Sequence, residues 1–153
     1  MRVSVIGIGI VVGSILTGFA QAADNAFVEH VRGFDTAQSR LVVGDTIPYL
    51  ADDVSISIRT CENTVERFNL ETFKRAYSTI QQHANRLTIH RQVDKLEDCD
   101  GGTRCTIHSR LSERVVAYGG QYDKTTRSVE TTRVERVEDS LKITSINASI
   151  ECG

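Results

Sequence analysis

The chain has 153 residues, 40% apolar, 25% charged and 6% aromatic, with a formal net charge of −2 at pH 7. That near balance leaves no electrostatic footprint for nucleic acid or an anionic membrane surface, and so few aromatic residues cannot build a base-stacking platform. No block of like charge forms a tail, and no internal repeat or low-complexity tract is present.

Met1-Arg2 is a short basic start, Val3 to Phe19 is uncharged and mostly apolar, and Ala20-Gln21-Ala22 is a small-x-small cleavage signal. This layout predicts a secretory signal peptide over 1–22, cleaved after Ala22, and one periplasmic or secreted domain over 23–153. Gly7, Gly9, Gly13 and Gly18 weaken the apolar run as a bilayer span, so no stable membrane anchor is expected after cleavage.

Phe27, Val31, Phe34 and Leu41 recur at helical spacing and predict a helix from Asn25 to about Val43. Gly33 costs helicity, so a break there is allowed. Gly44 reads as the stop, and Asp45 as the cap of a short helical turn, Thr46–Leu50, with Pro48 in its first turn. Val54, Ile56 and Ile58 alternate with Ser55 and Ser57, as in a half-buried strand to Arg59. Asn69 caps a helix running to about Ala84 with the apolar stripe Leu70, Phe73, Tyr77 and Ile80. Phe68 and Phe73 are placed for a hydrophobic staple.

The remainder reads as strand: 86–97, 103–118, 126–138 and 141–150. Asp100-Gly101-Gly102, Gly119-Gly120 and Asp139-Ser140 separate the runs and are hairpin signals. Short connections make these four strands an antiparallel meander. Helices first and a long sheet last is an α+β arrangement.

All four cysteines (Cys61, Cys99, Cys105, Cys152) follow the signal segment, and export predicts that they pair. Cys99 and Cys105 flank a five-residue loop between two antiparallel strands, where cross-strand Cα separations of about 4.5–5.5 Å suit a disulfide. Four cysteines still allow three connectivities. No CxxC occurs. Cys105 and His108 are three apart on a strand and so point to opposite faces, with no second ligand pair. No metal and no cofactor are expected.

A helix, Gly44-Asp45, a short helix ending in Ala51-Asp52-Asp53-Val54, a strand, a helix and a four-stranded meander together resemble the nuclear-transport-factor-2-like superfamily over about 25–150. That group includes steroid isomerases, SnoaL-like polyketide cyclases and small pocket proteins. The resemblance implies a cone in which N-terminal helices pack in the concave face of a curved antiparallel sheet, often with a ligand cavity. It also implies that the last strand lies beside the first, which makes Cys61–Cys152 the second bond. In the steroid isomerase branch a general-base aspartate lies five residues beyond the second Asp of this motif. Here that residue is Ile58, which cannot move a proton.

The resemblance places Tyr49, Asp52 and Asp53 near the cavity. Paired carboxylates there can raise one pKa and supply a base; as turn residues they cap and stay solvated, which is the simpler expectation. Arg91 shares strand parity with Ile89 and Val93. Pointing inward it needs a carboxylate partner or an anion, which would make it an anion-binding group at a pocket mouth. At a frayed edge its head stays in water, and that is expected. Parity with Leu87, Ile107 and Leu111 turns His90 and His108 outward, and His30 and His83 are expected at the surface. Arg110, Arg114, Arg127, Arg133 and Arg136 interleave with Glu113, Glu130, Glu135 and Glu138, which predicts cross-strand ion pairs on a solvated sheet face.

The expected function is an exported, disulfide-stabilised module that binds a small apolar or anionic ligand, or a protein, without catalysis. One alternative is a SnoaL-like acid–base enzyme working through Asp52 or Asp53. Another is a homodimer assembled through the charged sheet face.

Overall fold

Six strands form one curved, unclosed sheet in the order β2-β1-β6-β5-β4-β3. These are β1 (Leu50–Arg59), β2 (Val65–Phe68), β3 (Ala84–Asp100), β4 (Arg104–Ala117), β5 (Tyr122–Val137) and β6 (Ser140–Ile150). Among the described residues three helices accompany them: α1 (Gly13–Ser39), α2 (Val43–Thr46) and α3 (Leu70–His83). The computed structural model describes the backbone of residues 13–153 and the side chains from Gln21 onward. The expected basic start and the first part of the apolar run, to Val12, lie outside the described residues. No helix among the described residues is long and apolar enough to cross a membrane.

The first helix begins earlier and ends sooner than its apolar spacing predicts. It runs unbroken through Ala20-Gln21-Ala22 and through Gly33. Glycine is needed at position 33 for a tertiary reason: an added Cβ would lie 2.7 Å from the Tyr49 ring. Leu41, in the left-handed conformation (φ 57°), follows the last helical turn, so Gly44 is not the stop but lies within α2. The expected turn over Thr46–Leu50 is a 3-10 turn, Ile47–Tyr49, with Pro48 in it, where the missing N–H forfeits no bond. The strand starts at Leu50, so Ala51-Asp52-Asp53 belongs to β1 and does not end a helix.

Helix α3 starts as its sequence dictates. The Asn69 side chain accepts from the Thr72 N–H at 2.9 Å, and the Thr72 hydroxyl accepts from the Asn69 N–H at 2.8 Å, closing a capping box. Strand β2 is a departure. Four residues are too few to display a period, yet they pair antiparallel with β1, Ile56 opposite Phe68.

The meander β3-β4-β5-β6 is antiparallel as expected. The sheet as a whole is mixed, because β1 joins β6 in parallel, Ile56 opposite Ile146. The long excursion through the α3 region and the meander returns the chain in the same direction, which a hairpin could not do. Two disulfides, Cys61–Cys152 and Cys99–Cys105, close the ends of this arrangement. The first ties the end of β1 to the residue just past β6. The second closes the β3–β4 hairpin.

Phe27, Val31 and Phe34 on α1 pack into the concave face against Leu50, Val54, Ile56, Ile107, Val134 and Ile143. Burial of such side chains contributes about 1.5–3 kcal/mol each. The helix therefore plugs one part of the cone and leaves the remainder to α3.

Candidate functional site

Between α1, α3 and the concave face lies a cavity of about 220 Å³. Its walls are Phe34 and Gln38 of α1, Ile56 and Ile58 of β1, Phe68 of β2, and Phe73, Ala76, Tyr77 and Ile80 of α3. The sheet floor supplies Leu87, Arg91, Leu111, Glu113, Val115, Glu130 and Ile146. The staple positions Phe68 and Phe73 thus both face the cavity. Phe73 stacks on Tyr77 with centroids 5.7 Å apart and meets Phe34 tilted at 6.2 Å.

Strand period puts three charges on this floor. On β4 the buried Ile107, Ser109 and Leu111 have the same parity as Glu113. On β5 Thr132 and Val134 have the same parity as Glu130. Arg91 of β3 sits opposite Leu111, and all three side chains therefore project inward.

Arg91 is buried, its side chain only 3% exposed, which corrects the expectation of a solvated head at a frayed edge. Its Nε donates to Asp35 Oδ2 at 2.7 Å and its Nη2 to Asp35 Oδ1 at 2.9 Å, while Nη1 donates to Glu130 Oε1 at 2.8 Å. Thr132 Oγ1 donates to the same Glu130 oxygen at 2.5 Å. Two carboxylates keep the guanidinium charged, its pKa pushed up by these partners against a large opposing effect of burial. Its charge is compensated within the chain, so Arg91 is not a free anion site.

Glu113 is different. Among the described residues it has no hydrogen-bond or ion-pair partner. Burial raises its pKa above the usual carboxylate range, and the nearby charges of Glu130 and Asp35 raise it further against a smaller lowering by Arg91. Asp35 is also raised, burial outweighing its bonds to Arg91. The Tyr77 hydroxyl donates to the Gln38 carbonyl, and burial, then the Glu113 charge, pushes its pKa up to about 12. It is a fixed neutral donor. The floor therefore offers one part-buried, unpaired carboxyl among apolar walls and beside the Arg91 cluster, able to hold or release a proton.

Asp52 and Asp53 are exposed on β1 and do not line the cavity. Tyr49 does not line it either; its ring is packed against Gly33, His30 and Phe34. Ile58 does line it, so the wall is hydrocarbon where the isomerase branch carries its base. His90 is exposed, and His108 is on the outward side, its Nε2 2.7 Å from Glu97 Oε2. His30 is not at the surface as expected. It is half-buried beside the Tyr49 carbonyl, 3.1 Å away, and burial lowers its pKa.

Cross-strand ion pairs form on the outward face, but with aspartates in place of the expected glutamates: Arg110 with Asp94, and Arg114 with Asp123. Arg133 pairs with Glu135, and Arg136 donates to the Gly102 carbonyl, within the chain. Glu113 and Glu130 are the exceptions, because their parity turns them inward. The signal that could have found them was present: the argument that turned His108 outward from Ile107 and Leu111 turns Glu113 inward.

No family model matches the chain, and no curated protein matches it. Solved structures of the same fold do. A candidate scytalone dehydratase of Novosphingobium aromaticivorans superposes with a TM-score of 0.77 at 10% identity, covering 89% of this chain and 89% of that one. The hexachlorocyclohexane dehydrochlorinase LinA-type3 of Novosphingobium barchaimii gives 0.68 at 11% identity, covering 88% and 91%. A nuclear-transport-factor-2-like protein of unknown function from Shewanella baltica gives 0.58 at 10%, covering 92% and 98%. The chain has the nuclear-transport-factor-2-like fold, an α+β cone. At such identities the likeness concerns fold, and function has to be argued from the site.

Proposed function

We propose that this protein is an exported pocket module that holds a small, largely apolar molecule in the cone, with the Glu113 carboxyl as its polar contact. The observation that carries this reading is the cavity itself: aromatic and aliphatic walls around one unpaired carboxyl. Binding sites of this kind are mostly apolar with a few placed polar groups. The volume, below the roughly 300–1,000 Å³ of drug-sized sites, suits a molecule of one ring and a short substituent. Two disulfides accord with an oxidising compartment outside the cytoplasm.

The test is ligand-observed NMR with single-ring probes, 2-phenylethanol first, on wild type and on Ile58→Trp, whose indole fills the cavity. Saturable one-to-one binding that the tryptophan abolishes supports the pocket. Equal binding by both proteins, or none by either, refutes it.

The elevated pKa of Glu113 favours a second reading, acid–base catalysis of the elimination or isomerisation type. Here Glu113, not Asp52 or Asp53, moves the proton. Turnover that survives Glu113→Gln unchanged rules this out.

A further inference from the structure

We infer that the cavity recognises an apolar amine, its ammonium group paired with the Glu113 carboxylate and its hydrocarbon part against the rings of Phe34, Phe73 and Tyr77. This rests on the pocket reading and specifies the chemistry of its occupant.

The charge inventory points to a cation. Arg91 and Asp35 neutralise one another, and Glu130, the second partner of Arg91, leaves the network one negative charge in excess. Among the described residues no lysine or histidine and no second arginine lines the cavity. An anionic ligand would add to an uncompensated negative field in a low-dielectric space, which is strongly unfavourable. The expectation of an anionic ligand required a free Arg91, and its donors to Asp35 and Glu130 are taken. A neutral ligand brings no counter-charge to the carboxyl. An ammonium takes the place of the Glu113 proton as its counter-charge, leaving the net charge of the cavity unchanged, and supplies the donors that Glu113 lacks.

The walls suit the hydrocarbon part of such a ligand. Phe34 meets Phe73 and Phe73 stacks on Tyr77, so the cavity offers an aromatic surface as well as the Glu113 carboxyl. Amine binding also releases a proton. The carboxyl gives up its hydrogen to solvent as the ammonium arrives, so affinity for an amine rises with pH while Glu113 titrates.

The experiment compares three probes of one shape, 2-phenylethylamine, 2-phenylethanol and phenylacetate, by titration calorimetry at two pH values on wild type and Glu113→Gln. The expected result is an amine bound about tenfold tighter than the alcohol near neutral pH, with phenylacetate weakest. Glu113→Gln brings the amine to the level of the alcohol. In wild type the amine tightens as pH rises and the alcohol does not. Alcohol binding equal to or tighter than amine binding overturns the amine inference and leaves the pocket intact. Amine preference that persists in Glu113→Gln also overturns it. Absence of binding by every probe overturns both readings. The wild-type comparison and its pH dependence decide the matter even if the glutamine variant fails to fold.

Discussion

Arg91 grips both carboxylate oxygens of Asp35, at 2.7 and 2.9 Å, and so bolts strand β3 to helix α1 inside the cone. The two residues are 56 apart in sequence, and Glu130 of β5 completes the cluster from the other side. Bidentate geometry of this kind specifies orientation as well as strength.

Removing the cation alone strands two buried carboxylates. Arg91→Met is expected to destabilise the protein by about 3–5 kcal/mol, whereas Asp35→Leu, Arg91→Met and Glu130→Leu combined recover most of that loss. Urea unfolding of the single and triple variants measures both. A single variant as stable as wild type is incompatible with a buried, load-sharing cluster.

The pH dependence follows from the raised carboxyls. Folded Glu113 keeps its proton to higher pH than the unfolded chain does. Its contribution to stability is therefore full below the ordinary glutamate range and is lost as pH rises through the raised value. Asp35 acts with the same sign. Glu113→Gln should melt at a higher temperature than wild type, by a margin that widens from about pH 4 to about pH 8. Thermal melts across that range would count against a raised Glu113 carboxyl if the margin were flat.

The two disulfides should differ in worth. Cys61 and Cys152 lie 91 residues apart, and Cys99 and Cys105 lie 6 apart. On the loop-entropy model their removal costs about 4.6 and about 2.4 kcal/mol respectively. Paired serine substitutions followed by chemical denaturation give the order. The long bond also holds the end of the parallel β1–β6 pair, so its loss should increase amide exchange there before the hairpin is affected.

Gly33→Ala tests a close approach. Alanine favours a helix interior by about 1 kcal/mol over glycine, but its Cβ would lie 2.7 Å from the Tyr49 ring. The ring must move, and overpacking of this kind costs about 1–3 kcal/mol. We expect a lower melting temperature and a shifted His30 titration, since His30 sits 3.1 Å from the Tyr49 carbonyl. A higher melting temperature would mean that the ring yields freely.

Features that depend on near neighbours were legible in the chain. Asn69 and Thr72 are three residues apart, so the start of α3 was legible. Asp100-Gly101-Gly102 marked the hairpin that brings Cys99 to Cys105, and richness in Thr, Val, Ile and Arg between turn signals marked the four long strands. Strand β2 was too short to show a period, and the parallel β1–β6 pair has no local signature. Which charges go inside depends on packing in three dimensions. Glu113 and Glu130 read as members of a solvated row of alternating charges. The meeting of Asp35 and Glu130 with Arg91 depends on α1 lying across β3 and β5. The stability of a buried charge depends on what stands opposite it in space, and chain proximity carries no information about that. The same reason explains why Asp52 and Asp53, the conspicuous pair in the sequence, lie exposed, while the isolated Glu113 occupies the cavity.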